Sequence, residues 1–331
     1  MPLLKLQKAA RIALKDYMGL DPAETLLVLT DEIMREVGQS LYEAGLLIAK
    51  EAFIVEMKSR DVNGQEPPEQ IAELMKSVDV VVAPTSKSIT HTKARREASK
   101  VGVRVGTMPN ISVSTMIRCL NTHYQKVVNP TNQLFKEFEG VKTIRVTSKK
   151  GTDLKFSVEG RQAIASTGVL RNIGDSGNIP SGEVYIAPVE ESVNGILAID
   201  GSIASIGILT HPVYVQIENG IATKISGKGG EARLFGRLIN RYDDPSKTVC
   251  EFGVGTNPFA KISGEILEDE KVFGTVHFAF GNNLSFGGKV DVPQHIDGLV
   301  TKPTVYFDDK LIMEDGKFLV ITRPVVNQDE E

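Results

Sequence analysis

Val78-Asp79-Val80-Val81-Val82-Ala83 decides the fold class of the first third of this chain. Four apolar residues follow Asp79 without alternation, and three of them are β-branched. That is the composition of a strand covered on both faces. Around it the periodicity switches back and forth. Leu3, Leu6, Ala10, Ala13, Leu14 and Tyr17 fall on one helical stripe, and Gly19 supplies a stop. Residues 25–30 (TLLVLT) have the length of a buried strand. Thr30 or Asp31 then caps a helix running to about Glu51, with Ile33, Val37, Leu41 and Leu46 or Leu47 turned inward. Residues 52–57 (AFIVEM) form the next strand, and Asn63-Gly64 and Pro67-Pro68 mark a loop. A helix over 69–76 leads into the quoted strand, and a helix over 92–100 leads into a strand over 101–106. Such alternation specifies a mostly parallel sheet with helices on both faces.

The rhythm changes near residue 126. Residues 141–147 alternate apolar and polar, Lys149-Lys150-Gly151-Thr152-Asp153 turns, and 154–158 pair back as a hairpin. The pattern repeats over 213–217 and 221–225 around Glu218-Asn219-Gly220, and one helix is expected over 231–240. A length of 331 residues suits two domains. The boundary is placed at about 126, giving an α/β domain over 1–126 and a β-rich α+β domain over 127–331. The acidic tail 329–331 is read as disordered.

Composition excludes several functions. The net charge of -4 argues against a nucleic-acid binder that relies on bulk positive charge. Lys93, Arg95, Arg96 and Lys100 read as a solvated helix face. Cys119 and Cys250 lack CxxC spacing, so neither a disulfide framework nor a cysteine-rich zinc site is expected. Two buried thiols in a reducing compartment is the simpler reading. No apolar run approaches the ~18 residues of a membrane span, and the N-terminus lacks the pattern of a signal peptide. The expected location is the cytoplasm.

The chemistry gathers in the last half. His295 and Asp297, two apart, share a face if the segment is extended. His277 lies in the apolar run 272–280 behind Glu268-Asp269-Glu270, which alone reads as a solvated turn. Glu251 enters the glycine-rich Phe252-Gly253-Val254-Gly255, and Glu183 lies in NIPSGEVYIAP. Each has a bland explanation by itself. Together, two imidazoles and three carboxylates form a ligand set for one or two divalent ions such as Zn²⁺, Co²⁺ or Mn²⁺. Such ions activate water. No GxSxG or HExxH motif is present.

Four strings, NIPSGEVYIAP (178–188), EFGVGTNP (251–258), EDEKVFGTVHFAFGNN (268–283) and QHID (294–297), resemble the metal-dependent aminopeptidases of the thermophilic aminopeptidase T type. TSKSITHT (85–92) and VRVGTMP (103–109) resemble the same family's strand–loop segments. The resemblance implies an α/β domain followed by a β-rich domain, a homodimer, and a two-metal centre. It places a bridging ligand on Glu183, a second glutamate on Glu251, the next match on Asp269-Glu270-Lys271 and His277, and the last on His295 and Asp297. Where the family has a tyrosine ligand this chain has Leu284, and it is shorter than typical members.

The leading expectation is therefore a hydrolase: a metallo-aminopeptidase cleaving N-terminal residues of peptides with metal-activated water. Metal ligands are Glu183, Glu251, His277, His295 and Asp297, with Glu183 or Glu251 as general base. Glu268 or Glu270 assists or is structural, and His91 is a candidate cleft residue. The alternative resembles 2,5-dihydroxypyridine dioxygenases, with one Fe(II) on His277, His295 and Asp297. A non-catalytic relative is the third reading. Partners are a peptide or small-molecule substrate and a second copy of the chain, with no nucleic acid and no membrane.

Overall fold

The computed structural model describes residues 2–325. The tail 329–331 lies outside the described residues. The chain divides into two compact units, one of residues 2–126 and 168–181, the other of 127–167 and 182–325.

In the first unit five strands lie in the order Glu51–Met57, Thr25–Asp31, Val80–Ala83, Arg104–Thr107, Ser176–Asn178, and every neighbouring pair is parallel. The β-branched run at Val80–Ala83 sits third and is wholly buried, as a strand covered on both faces must be. Helices Arg35–Gly45, Glu69–Met75, Lys93–Lys100 and Val113–Leu120 connect or follow these strands. The Thr92 hydroxyl caps the third by accepting from the Arg95 N–H, and Ser112 caps the fourth through the Thr115 N–H. The N-terminal helix Pro2–Ile12 widens into a π turn at Ala13–Tyr17, and Gly19 ends it at φ +60°.

Two local expectations need correction. The second helix starts only at Arg35, because the Asp31 carboxylate accepts from the N–H groups of Ile33 and Met34 at 3.1 and 3.0 Å and holds a turn first. Ile33 and Leu47, expected inward, are 59% and 74% exposed, while Val37 and Leu41 are buried. The stretch that follows the expected boundary at about 126 is the helix Gln125–Glu137, with Val127, Pro130, Thr131 and Leu134 buried.

The second unit is a sandwich of two antiparallel sheets. The eight-stranded sheet is built around the hairpin Thr143–Ser148 and Asp153–Ser157. The seven-stranded sheet runs Gly207–Ile208, Ser202–Ile203, His295–Val300, Val276–Gly281, Val249–Gly255, Glu183–Ile186, Ile164–Ser166. Their facing sides form one core, in which Ile144, Val146 and Phe156 meet Phe252, Val254 and Phe278. The rings of Phe156, Phe252 and Phe278 lie 5.3–5.9 Å apart at their centroids. Each buried phenylalanine contributes about 1.5–3 kcal/mol of apolar burial. The fold class is the expected one, α/β followed by β-rich α+β. Among the described residues no helix is long and apolar enough to cross a membrane. Both cysteines are free and buried.

Candidate metal centre

The strand Val249–Gly255 alternates large apolar residues with Glu251, Gly253 and Gly255. Period two sends Phe252 and Val254 into the sandwich core and Glu251 and its glycines to the other face. The neighbouring strand repeats the scheme: Phe278 and Phe280 point to the core, while His277, Ala279 and Gly281 point to the other face. Pairing then decides what meets what. Glu183 opposes Gly255, His277 opposes Gly253, Glu251 and Asp297 both oppose Ala279, and His295 opposes Gly281. Every polar group faces a residue small enough to leave it room. At Gly253 the need is absolute, since a Cβ there would stand 2.1 Å from His277 Cε1 and Nε2.

The five side chains expected from the sequence converge. His277 Nε2 lies 3.3 Å from Glu251 Oε1 and 3.6 Å from Glu183 Oε2. His295 Nε2 lies 3.4 Å from Glu251 Oε2 and 3.5 Å from Asp297 Oδ1. His295 Nδ1 donates to the Asn282 carbonyl at 2.9 Å. That bond orients the ring and turns Nε2 toward the carboxylates, the usual arrangement behind a metal-binding histidine. Among the described residues two groups have ligand atoms within 4.8 Å of one another: Glu251, His295, Asp297 and Glu270, His277, Asp297. Glu183 belongs to neither. Its Oε1 accepts from Lys271 Nζ at 2.8 Å, and its buried Oε2 has no hydrogen-bond partner.

The charges shape one another. Burial works against Asp297, yet the adjacent imidazole of His295 brings its carboxyl down to about 2. Burial also opposes a charged His277, but the bond to Glu251 and the charges of Glu183 and Glu270 outweigh it and raise it to about 9. His295 is held well above its ordinary value, against burial, by Cys250 and Asp297. Glu270 is pushed up to about 8, chiefly by burial. Lys271 is raised by Glu183 and Glu270 in spite of its burial. The result is a dense carboxylate–cation network with one partly exposed member, His295.

Other expectations fare differently. Glu251 lies within a strand rather than at its end, and the glycines after it continue that strand. The acidic run 268–270 is buried rather than a solvated turn. Glu268 accepts from the Lys261 N–H at 2.9 Å, and Asp269 accepts from the N–H groups of Ser263 and Gly264 at 2.7 and 3.0 Å. Both therefore hold a loop. Leu284 is 54% exposed and belongs to neither group. His91 is an exposed residue of the first unit. Sequence reasoning missed Lys271 as a buried cation and Tyr185 as a neighbour of the carboxylates. Burial, Glu251 and Glu183 together raise the Tyr185 phenol, so it stays protonated. Its ring meets Phe286 edge-on at 5.4 Å, and Phe286 in turn meets His295 at 6.2 Å.

These features define a class: an α/β unit with a β-sandwich unit that presents imidazole and carboxylate donors for a divalent cation on one sheet face. Solved structures share the fold. The 2,5-dihydroxypyridine dioxygenase of Pseudomonas putida superposes with a TM-score of 0.81 at 20% identity over 98% of both chains. Wild-type AmpT from Thermus thermophilus superposes with a TM-score of 0.72 at 16% identity, over 96% of this chain and 99% of that one. The chain belongs to the NicX family, 2,5-dihydroxypyridine 5,6-dioxygenase, whose model matches residues 19–320.

Relatives of both kinds match, the dioxygenase over more of the chain. The 2,5-dihydroxypyridine 5,6-dioxygenase of Pseudomonas putida is 25% identical over 261 residues, 73% of this chain and 71% of that protein. Aminopeptidase T of Thermus aquaticus is 25% identical over 163 residues, covering 44% of this chain and 39% of that protein. The expectation of a metallo-aminopeptidase, and with it the hydrolase and protease class, is thus overturned in favour of a dioxygenase family. Solved structures of both kinds of protein share this fold. A scaffold with a polar sheet face does not by itself specify the reaction.

Proposed function

We propose that this protein is a dioxygenase that holds one Fe(II) and opens a dihydroxylated aromatic ring of the 2,5-dihydroxypyridine kind. The observation that carries this reading is the group Glu251, His295, Asp297, found in a chain of the NicX family. One imidazole and two carboxylates, with no thiolate among them, suit a divalent ion of Fe(II) hardness. Hydrogen bonding from His295 to the Asn282 carbonyl and from His277 to Glu251 fixes two of the three donors in place.

Bound there, Fe(II) would supply the electrons that activate dioxygen toward the ring. The residues of the chain do the rest. Tyr185 and Phe286, in edge-to-face contact beside His295, put apolar aromatic surface next to the donors. The Tyr185 phenol keeps its proton and can donate to a ring oxygen.

The test is oxygen uptake. Protein reconstituted with Fe(II) without air is expected to consume oxygen and bleach the ultraviolet band of 2,5-dihydroxypyridine, and His295→Ala should abolish both. Absence of uptake with a panel of dihydroxylated pyridines and benzenes, in protein shown to hold iron, would overturn the proposal.

A further inference from the structure

Lys271 is a buried cation beside the donor groups. It is 1% exposed. Its Nζ donates to Glu183 Oε1 at 2.8 Å and to the carboxylate of Glu270. The side chain is placed by its backbone. The Lys271 N–H donates to the Glu268 carbonyl at 3.0 Å, and the Lys271 carbonyl accepts from the Asn257 N–H at 2.8 Å. The turn also presses on the sheet: a Cβ at Gly255 would meet the Val272 carbonyl oxygen at 2.1 Å and the Lys271 carbonyl carbon at 2.8 Å. An ammonium so held is a fixed element of the site.

Its position matters because of Glu270. The second group of possible metal donors, Glu270, His277 and Asp297, is wholly buried. Its Glu270 carboxylate already holds the Lys271 ammonium. A divalent ion there would share one carboxylate with a positive charge in a pocket that water does not screen. Two like charges held so close repel strongly in surroundings of low dielectric.

We propose that the Lys271 ammonium stands in for a second metal ion, so that the chain binds one divalent ion at Glu251, His295 and Asp297 and none at Glu270, His277 and Asp297. This rests on the location of the ion given under Proposed function. It replaces the two-ion centre expected from the sequence.

The experiment counts Mn(II) by equilibrium dialysis on the full chain, with electron paramagnetic resonance on the bound fraction. The wild type is expected to saturate at one ion with an uncoupled six-line spectrum. Lys271→Met removes the charge at similar volume and is expected to rise to two ions with an exchange-coupled spectrum, while Lys271→Arg stays at one. Two ions in the wild type would overturn the inference. So would one ion in folded Lys271→Met, and that result would leave the first site intact. No bound Mn(II) in any variant would refute the site itself. The wild-type spectrum at excess Mn(II) decides the matter even if Lys271→Met does not fold.

Discussion

Gly253→Ala adds one methyl group at the point where the sheet makes room for His277. The new Cβ would stand 2.1 Å from two ring atoms and 3.0 Å from a third. Non-bonded carbons settle at about 3.5–4.0 Å, so the ring must retreat by more than about 1 Å. It has nowhere to go, since the imidazole is fully buried and its strand is paired on both sides. Overpacking of this kind costs about 1–3 kcal/mol. Losing the buried bond between His277 and Glu251 adds roughly 1–3 kcal/mol. For a unit of this size each kcal/mol lowers Tm by about 2–4 °C, so a fall of roughly 5–20 °C is expected in calorimetry. Glu251 also loses the partner that orients it, so Mn(II) affinity in dialysis should weaken by about 10-fold or more. A Tm within about 1 °C of the wild type together with unchanged Mn(II) affinity would show that the ring does not depend on that space.

Two further outcomes are expected. Gly236 lies inside the helix Glu231–Ile239, where a Cβ would make only an ordinary 3.7 Å contact with Ile225. Gly236→Ala should therefore stabilise the protein by about 0.5–1 kcal/mol in urea unfolding, and a loss would contradict the helix. In the metal-free protein His277 is raised from 6.5 to about 9 and Glu270 from 4.5 to about 8. Both stabilise the folded state most when protonated, so their contribution is whole below the unfolded values and is lost as pH climbs through 8 to 9. Chelator-treated wild type should therefore lose stability as the pH rises from 6 to 10. His277→Gln should flatten that loss, and equal slopes in the two proteins would refute it.

What could be read in advance followed from periodicity. The HxD pair at 295 and 297 sits on one strand face because side chains alternate, and the apolar run at 78–83 marked a strand of the parallel sheet for the same kind of reason. The donor residues were legible as types, but not their assignment to groups. Glu183 was expected to bridge two ions, yet Lys271 occupies one of its oxygens. A lysine carries the default of a solvated face, and no local spacing reveals that a loop closed by Glu268 and Asp269 carries this one inward. The reaction was illegible for a different reason. Glycines at 253, 255 and 281 are spacers in the strands, and they serve any chemistry on this sheet equally well.

The two faces of these strands constrain how the gene can change. Glu251, His277 and Asp297 share their strands with Phe252, Phe278 and Ile296, separated only by alternation. Deleting a single codon inside Val249–Gly255 would send phenylalanine toward the carboxylate–imidazole cluster and glutamate into the hydrocarbon interior, ruining both at once. Length variation among descendants of this chain should accordingly be confined to the connecting loops, with these three strands drifting only by exchange of one side chain for another.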